Sequence, residues 1–355
     1  MTIKEIARHT GLSIPTIGNV LGQSGGRYSA ATRARVMKAA QELGYRPNAS
    51  ARAMRRGRIG CATLVLSRSH QETHSYIPPG LLDGIDDELA RHDMHLTISR
   101  LSDEELSESS CLPKVLREYM ADGMIVNYTH EIPEPMLEAI RTHRTPAVWL
   151  NAKLAEDCVY PDDYAAARST TDRLIKLGHR RVAMLHLISP RPLAGYTFQA
   201  AFGRLHYSTN DRANGYRAAM IDAGLMPRVA NHDRFVDEAD QLDLCRALLS
   251  GSDRPTAVIV YSEYDLSVLM AAAAGLGLSV PRDLTVLTFS PTEFWVAGRF
   301  VSAIEVPTAE VGRRAVRMLL KKIATPEATC PPEAVPYEAV FRETVAPPPP
   351  DAARM

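Results

Sequence analysis

Apolar residues change their spacing near residue 59. Ahead of that point they recur at helical intervals in short runs. Ile3, Ile6 and Ala7 share one face at i, i+3, i+4 spacing, which predicts a first helix. Thr2 with Glu5 three residues on forms a capping box at its start, and Gly11 ends it. Ser13 is placed to cap a second helix, with Pro15 tolerated in its first turn and Ile17, Val20 and Leu21 as its apolar face. Gly22 and Gly25-Gly26 break it. Ser29 opens a third helix with Val36, Ala40 and Leu43 inward, and Gly44 and Pro47 close it. A helix, a tight turn, a short second helix and a bracing third helix predict an all-α helix-turn-helix head.

From Ile59 onward, short apolar runs alternate with amphipathic stretches. Strands are expected at 59–66, 94–99, 124–127, 147–150, 182–187, 233–236, 257–261 and 284–289. Helices are expected near 79–92, 103–120, 134–144, 163–177, 210–223, 238–250 and 263–275. Strands alternating with helices imply right-handed crossovers and parallel sheets covered on both faces. The number of strands over such a length suits two sheets better than one. The expected division is a head over 1–46, a hinge or linker over 47–58, an α/β body over 59–345 and a disordered, proline-rich tail over 346–355.

Charge sharpens that division. The chain has no net charge, yet its first 60 residues carry a net +9 and the remainder −9. A small cationic head on an anionic body points to a polyanionic partner for the head alone. The five cysteines are odd in number, scattered and never in a C-x-x-C pair, which argues against a disulfide framework and a zinc site. No apolar run reaches the length of a membrane helix, and the N-terminus lacks the apolar core of a secretory signal, so a reduced cytoplasm is the expected location.

In a helix-turn-helix unit the second helix enters the major groove with its N-terminal residues at base edges. Ile14, Pro15, Thr16 and Asn19 are the candidates here. Asn19 suits an adenine edge, and Thr16 a phosphate or a thymine methyl. The segment from Asn48 to Arg56 is basic, alanine-rich and too short to be a stable helix alone, which suits folding on DNA or a flexible basic linker. Met54 would be an apolar wedge for the minor groove.

The run T-I-K-E-I-A-R-H-T-G-L-S-I-P-T-I from Thr2, with S-A-A-T-R-A-R-V and A-A-Q-E-L-G-Y-R-P-N-A-S-A-R-A-M-R-R-G, resembles the head and hinge of lactose-repressor/galactose-repressor (LacI/GalR) regulators. Landmarks in the body follow the same order: Leu177-Gly178-His179, Arg212-Ala213-Asn214-Gly215-Tyr216, Pro255-Thr256-Ala257-Val258, Val280-Pro281 and Arg342-Glu343-Thr344. The resemblance implies a body of two Rossmann-like, periplasmic-binding-protein-like subdomains around an effector cleft. It also implies a homodimer or tetramer on a pseudo-palindromic double-stranded DNA operator. Matched by motif, the DNA-binding residues are Thr2, Ser13, Ile14, Pro15, Thr16, Asn19, Ser29, Thr32, Tyr45, Asn48, Ala51 and Met54. Gly18-Asn19 stand where the family usually has Ser-Arg, which implies an unusual operator. Met54 stands where the family usually has leucine.

The effector candidates are Tyr76, Asp162, Asp163, Arg212, Ser262, Glu263, Ser290 and Trp295. Arg212 falls on the family's R-x-x-G-[FY] arginine, where it could clamp a carboxylate or phosphate, or form a salt bridge. Ser262-Glu263 replace the common Asn-Asp, and Ser290 replaces an aspartate. Both exchanges remove handles for sugar hydroxyls, so an atypical effector stands beside a sugar or related metabolite. Tyr76 and Trp295 are possible stacking walls. No cofactor or metal is expected. The histidine pairs 70/74 and 92/95 lack a third ligand, and no P-loop, G-x-G-x-x-G or G-x-S-x-G occurs, so no enzyme is indicated. The sequence thus reads as a ligand-responsive transcriptional regulator, a repressor by preference. The alternative is a solute-binding protein of a transport system.

Overall fold

The computed structural model describes the chain outside residues 1, 23–27, 47–56, 69–76, 103–112, 128–131, 133, 188–205, 232–236 and 351–355. Its contacts divide it into two units, Met1–Gly60 and Cys61–Met355.

The first unit holds α1 (Ile3–Thr10), α2 (Ile14–Leu21) and α3 (Ala30–Glu42). Gly11 turns the chain after α1 at φ 64°, in the left-handed region where glycine carries no Cβ penalty. Ile6, Ile17, Val20, Val36, Ala39 and Ala40 meet in one small core, so the apolar face expected on each helix is the face that packs. Arg35 on α3 donates to the Thr10 carbonyl at the end of α1, a bond that joins the bracing helix to the turn.

The second unit contains two sheets. The first lobe is built on β1 (Cys61–Arg68), β2 (His95–Ser102), β3 (Gly123–Asn127), β4 (Ala147–Leu150), β5 (Cys158–Pro161) and, from late in the chain, β13 (Glu333–Val335). Their order is β13-β5-β4-β3-β1-β2, and every pair is parallel. Its helices are α4 (Leu81–Ala90), α5 (Lys114–Arg117) and α6 (Glu134–Thr142). Of the long helix expected near 103–120, the described part is only this one turn, and Glu118 is already extended.

The second lobe is built on β6 (Val182–Leu185), β7 (Arg228–Ala230), β8 (Ala257–Val260), β9 (Thr285–Ser290), β12 (Ser302–Glu305) and β14 (Ala339–Val340). Their order is β14-β12-β9-β8-β6-β7. Four pairings are parallel, and β14 runs antiparallel to β12. The sheet is therefore mixed at that edge, where an all-parallel sheet was expected. A hairpin of β10 (Trp295–Val296) and β11 (Arg299–Phe300) stands apart from it. The helices are α7 (Asp163–Lys176), α8 (Tyr207–Asp222), α9 (Glu238–Leu249) and α10 (Glu263–Gly275). The strand expected at 233–236 lies outside the described residues; the edge strand is Arg228–Ala230.

After β12 the chain returns to the first lobe. There α11 (Thr308–Ala324) buries Val311, Ala315, Val316 and Leu319 against Ala62, Leu64, Ile85 and Val148. With β13 it completes the first lobe from the far end of the sequence. The segment expected to be loose from 346 on is held at its start. The Ala346 carbonyl accepts from Nε2 of buried His179 (2.9 Å) and from Oγ1 of Thr285 (2.9 Å). A carbonyl placed between two donors this deep is ordered because leaving either donor unpaired would cost free energy.

Candidate nucleic-acid interface and ligand cleft

In the head, burial of Ile17 and Val20 turns Ser13, Ile14, Pro15 and Asn19 outward on one side of α2. Ser13 caps α2: its Oγ accepts from Thr16 N at 3.2 Å and lies 2.8 Å from Thr16 Oγ1. Ser29 caps α3 in the same way, with Thr32 N at 3.2 Å. At α1 the capping box is carried by Glu5, whose Oε2 accepts from Thr2 N at 2.6 Å and from Thr2 Oγ1 at 3.2 Å. That bond to the Thr2 backbone holds the Glu5 carboxyl below the usual range. The hydroxyls matched to DNA contact are thus also the groups that start the helices, next to N-termini that favour anions. Ile14 is 47% exposed in the first turn of α2, an apolar side chain presented to solvent beside those donors. Asn19 donates to the Tyr28 hydroxyl at 3.2 Å. Tyr45 is partly buried in the head core. Asn48, Ala51 and Met54 lie outside the described residues.

In the body the carboxyl ends of strands from both sheets meet. Asn127 ends β3 and Asn151 follows β4 in the first lobe. His186 follows β6, Tyr261 follows β8 and Ser290 ends β9 in the second. Asn151 Nδ2 donates to Asn127 Oδ1 at 3.0 Å, and the Asn151 carbonyl is 2.7 Å from His206 Nε2 at the start of α8. His206 Nδ1 is 2.7 Å from Ser208 Oγ, which is 2.8 Å from the Tyr261 hydroxyl. A continuous polar chain therefore crosses from one lobe to the other. Buried Asn127 keeps its Nδ2 without a hydrogen-bond partner among the described residues.

Arg212 and Asp163 come together, but not as a free clamp. Arg212 Nε donates to Asp163 Oδ1 at 2.6 Å and Nη1 to the Tyr261 carbonyl at 3.0 Å. Its guanidinium carbon lies 3.9 Å from the Phe289 ring centre and 4.6 Å from that of Tyr261. Tyr337 donates a second hydrogen bond to Asp163 Oδ1 at 2.6 Å. Burial opposes the Arg212 charge, yet Asp163 together with Tyr337 and Tyr261 outweighs it and raises the guanidinium above its ordinary value. Asp162 caps α7 through Ala165 N at 3.1 Å. For Arg212 the salt-bridge alternative is the geometry observed, and Asp162 serves the start of a helix.

Ser262 caps α10, accepting from Asp265 N at 3.3 Å. Glu263 and Ser290 are joined directly, Oε1 to Oγ at 2.5 Å. Trp295 lies on the hairpin, 64% exposed, its ring stacked on Phe300 at 4.4 Å. Tyr76 lies outside the described residues. Asn127, Asn151, His206, Ser208 and Tyr261 were not anticipated. The signal available was position: each of the strand-end residues follows an apolar run, where open α/β sheets bind ligands. Two titrating groups flank the site. Burial pushes the Asp265 carboxyl up to about 7, against the lowering effect of the Leu187 N–H it accepts at 3.3 Å. Burial first, then Arg212, pushes His186 down to about 4.

Residues 2–48 match the model of bacterial regulatory proteins of the lacI family, and residues 171–345 that of a periplasmic binding protein-like domain. The HTH-type transcriptional repressor PurR of Vibrio vulnificus is 26% identical over 97% of this chain and 98% of its own length. Catabolite control protein A of Priestia megaterium is 23% identical over 97% and 99%. The ribose operon repressor of Halalkalibacterium halodurans is 24% identical over 97% and 96%. Among solved structures, the Lac repressor dimer bound to operator and the anti-inducer ONPF superposes with a TM-score of 0.71, 20% identity and coverage of 98% and 99%. The transcriptional regulator CelR in complex with cellobiose gives 0.61 at 21% identity, covering 97% and 100%. With its helix-turn-helix head and two-lobed, periplasmic-binding-protein-like body, the chain belongs to the LacI family of bacterial regulatory proteins.

Proposed function

We propose that this protein is an operator-binding transcriptional repressor whose affinity for DNA is set by a small molecule held between the lobes of its body. The observation that carries the reading is the head: a cationic three-helix unit whose second helix turns Ser13, Ile14, Pro15 and Asn19 to solvent while Ile17 and Val20 hold it in place. Two heads of a homodimer would read the two halves of a pseudo-palindrome, with residues 47–58 as the hinge between head and body. In this reading Ile14 supplies apolar contact to a thymine methyl and Asn19 a bidentate contact to adenine, once it leaves Tyr28. Thr2, Thr16, Ser29 and Thr32 fix the head on phosphates, and Tyr45, Asn48, Ala51 and Met54 continue the contact along the hinge. The effector site is the strand-end junction, with Arg212, Asp162 and Asp163 as its frame and Ser262, Glu263, Ser290, Tyr76 and Trp295 around it. The cytoplasm is the proposed location.

A solute-binding protein would share the body but has no use for a cationic head. The test is binding to duplex DNA at several salt concentrations, with genomic fragments enriched on the purified protein. If about eight phosphates are neutralised, log K against log salt has a slope near −7. A chain lacking residues 1–58 should bind none of the enriched fragments. A flat salt plot, or retained binding by the shortened chain, overturns the reading.

A further inference from the structure

We infer that His206 is the positioning residue that holds the two lobes of the body together, acting as a neutral hydrogen-bond clasp between Asn151 and the start of α8. This deepens the effector reading by naming the contact an effector has to reinforce or replace.

The bond directions along the polar chain fix the state of the ring. The Asn151 carbonyl can only accept, so His206 Nε2, 2.7 Å away, carries the proton. The Ser208 backbone N–H can only donate, and it faces Nδ1 at 3.4 Å. Nδ1 is therefore the bare acceptor and the imidazole is neutral. Ser208 Oγ donates to Nδ1 at 2.7 Å and in turn accepts from the Tyr261 hydroxyl at 2.8 Å. Every donor in the chain faces an acceptor, from Tyr261 on the second lobe to Asn151 on the first.

The position itself is unusual. His206 is the N-cap of α8 and accepts there from Ser208, a place where Ser, Thr, Asn or Asp is ordinarily favoured. Those shorter side chains could cap the helix but could not also reach across to Asn151. A histidine does both, which is the physical reason for this residue at this place. Two further contacts cross nearby. Lys153 pairs with Asp211 at 2.8 Å, but with the lysine half-exposed this pair is screened and weak. Tyr207 donates to the Pro161 carbonyl at 3.2 Å beside the chain crossover. The histidine link is part-buried and is the one of these that is bonded at both ring nitrogens.

The test uses the full chain without DNA or effector, so it can fail while the operator reading stands, and the reverse. Spin labels are placed at Glu138→Cys and Met226→Cys, one exposed site on each lobe, with Cys111 and Cys330 changed to Ser. Labelled protein is diluted into unlabelled protein so that only distances within one chain are read. The native histidine should give one narrow distance distribution. H206N keeps the cap acceptor but loses the donor to Asn151, and should broaden the distribution about twofold. H206D, a favoured cap without a donor, repeats that test in a second background should H206N melt early. H206Q restores a donor at the outer position and should narrow the distribution again. If H206N and H206D keep the native distribution, or if H206Q is as broad as they are, the clasp is refuted.

Discussion

Arg212 and Asp163 form a buried ion pair, Nε to Oδ1 at 2.6 Å, with Arg212 only 9% exposed and Asp163 only 1%. It joins α8 to the start of α7, directly after the chain crosses from the first lobe to the second. The pair also fixes the Tyr261 carbonyl and the Tyr337 hydroxyl, so it organises the floor of the junction. Arginine suits this role because its planar fork donates in several directions while its faces rest on Phe289 and Tyr261.

Removing one partner leaves the other charged and buried. Asp163→Ala should therefore destabilise the body by about 3–5 kcal/mol, more than a surface pair could account for. Urea unfolding followed by fluorescence reads this directly. A loss below about 1 kcal/mol would place the pair among weak, solvated ones.

Helices α7 and α8 touch through Gly215. A Cβ there would sit 2.2 Å from the Tyr164 carbonyl oxygen, a backbone atom that cannot move aside alone. Gly215→Ala should force the helices apart and cost about 1–3 kcal/mol or more through overpacking. Gly18 is the contrasting case. Nothing lies within 4 Å of a Cβ built there, and Gly18 is not among the positive-φ glycines. Gly18→Ala should stabilise the head by up to about 1 kcal/mol, because glycine loses more backbone entropy in a helix than alanine. Thermal melts of the full chain, followed by a probe in each unit, separate the two outcomes.

Asp265 and His186 predict the pH response of the body. The folded Asp265 pKa is raised to about 7, so between the unfolded carboxyl value and 7 the native state binds the extra proton and stability falls as pH rises. His186 is lowered to about 4, so its contribution is fully present above the unfolded histidine value and is lost as pH falls toward 4. The two slopes oppose each other in acid. Asp265→Asn keeps an oxygen to accept from Leu187 and removes the charge. Relative to the parent chain it should gain stability as pH rises through 7 and gain least near pH 4. Unfolding curves at intervals across that range check it, and a pH-independent difference would contradict the raised carboxyl.

Ile14 faces solvent at 47% exposure although it opens an otherwise apolar helix. Ile14→Ser should leave the melting of the head unchanged within about 0.5 kcal/mol, as expected of a surface exchange. It should weaken binding to an enriched operator and not to bulk duplex. Competition binding distinguishes those outcomes, and equal loss on both kinds of DNA would make Ile14 a general packing residue.

Local pattern carried the head almost whole. Its helices are short, bounded by Ser13, Ser29, Gly11 and Gly44, and one apolar face on each suffices to build the core. It carried the alternating body as well, since strands such as Gly123–Asn127 and Ala257–Val260 are buried on both faces and read as continuous apolar runs. Short or distant elements escaped it. Val335 joins a sheet whose other strands lie far away in sequence, and in its strand and in the one that starts at Cys158 three or four residues hold too few positions to display a period. Thr308–Ala324 has a readable amphipathic face, yet nothing local says that this face belongs to the first lobe.

What the sequence determined by itself was the kind of chemistry present: a cationic, helix-capped front, a parallel α/β body, and the positions where polar residues follow buried strands. What only the tertiary structure decided was who meets whom. Arg212 is held by Asp163, Ser290 by Glu263, and His206 reaches Asn151 across the lobes. Those pairings depend on the strand order within each sheet and on three crossings of the chain between the lobes. Hydrogen bonds between residues tens of positions apart are set by the packed backbone, not by the spacing of residue types along the chain.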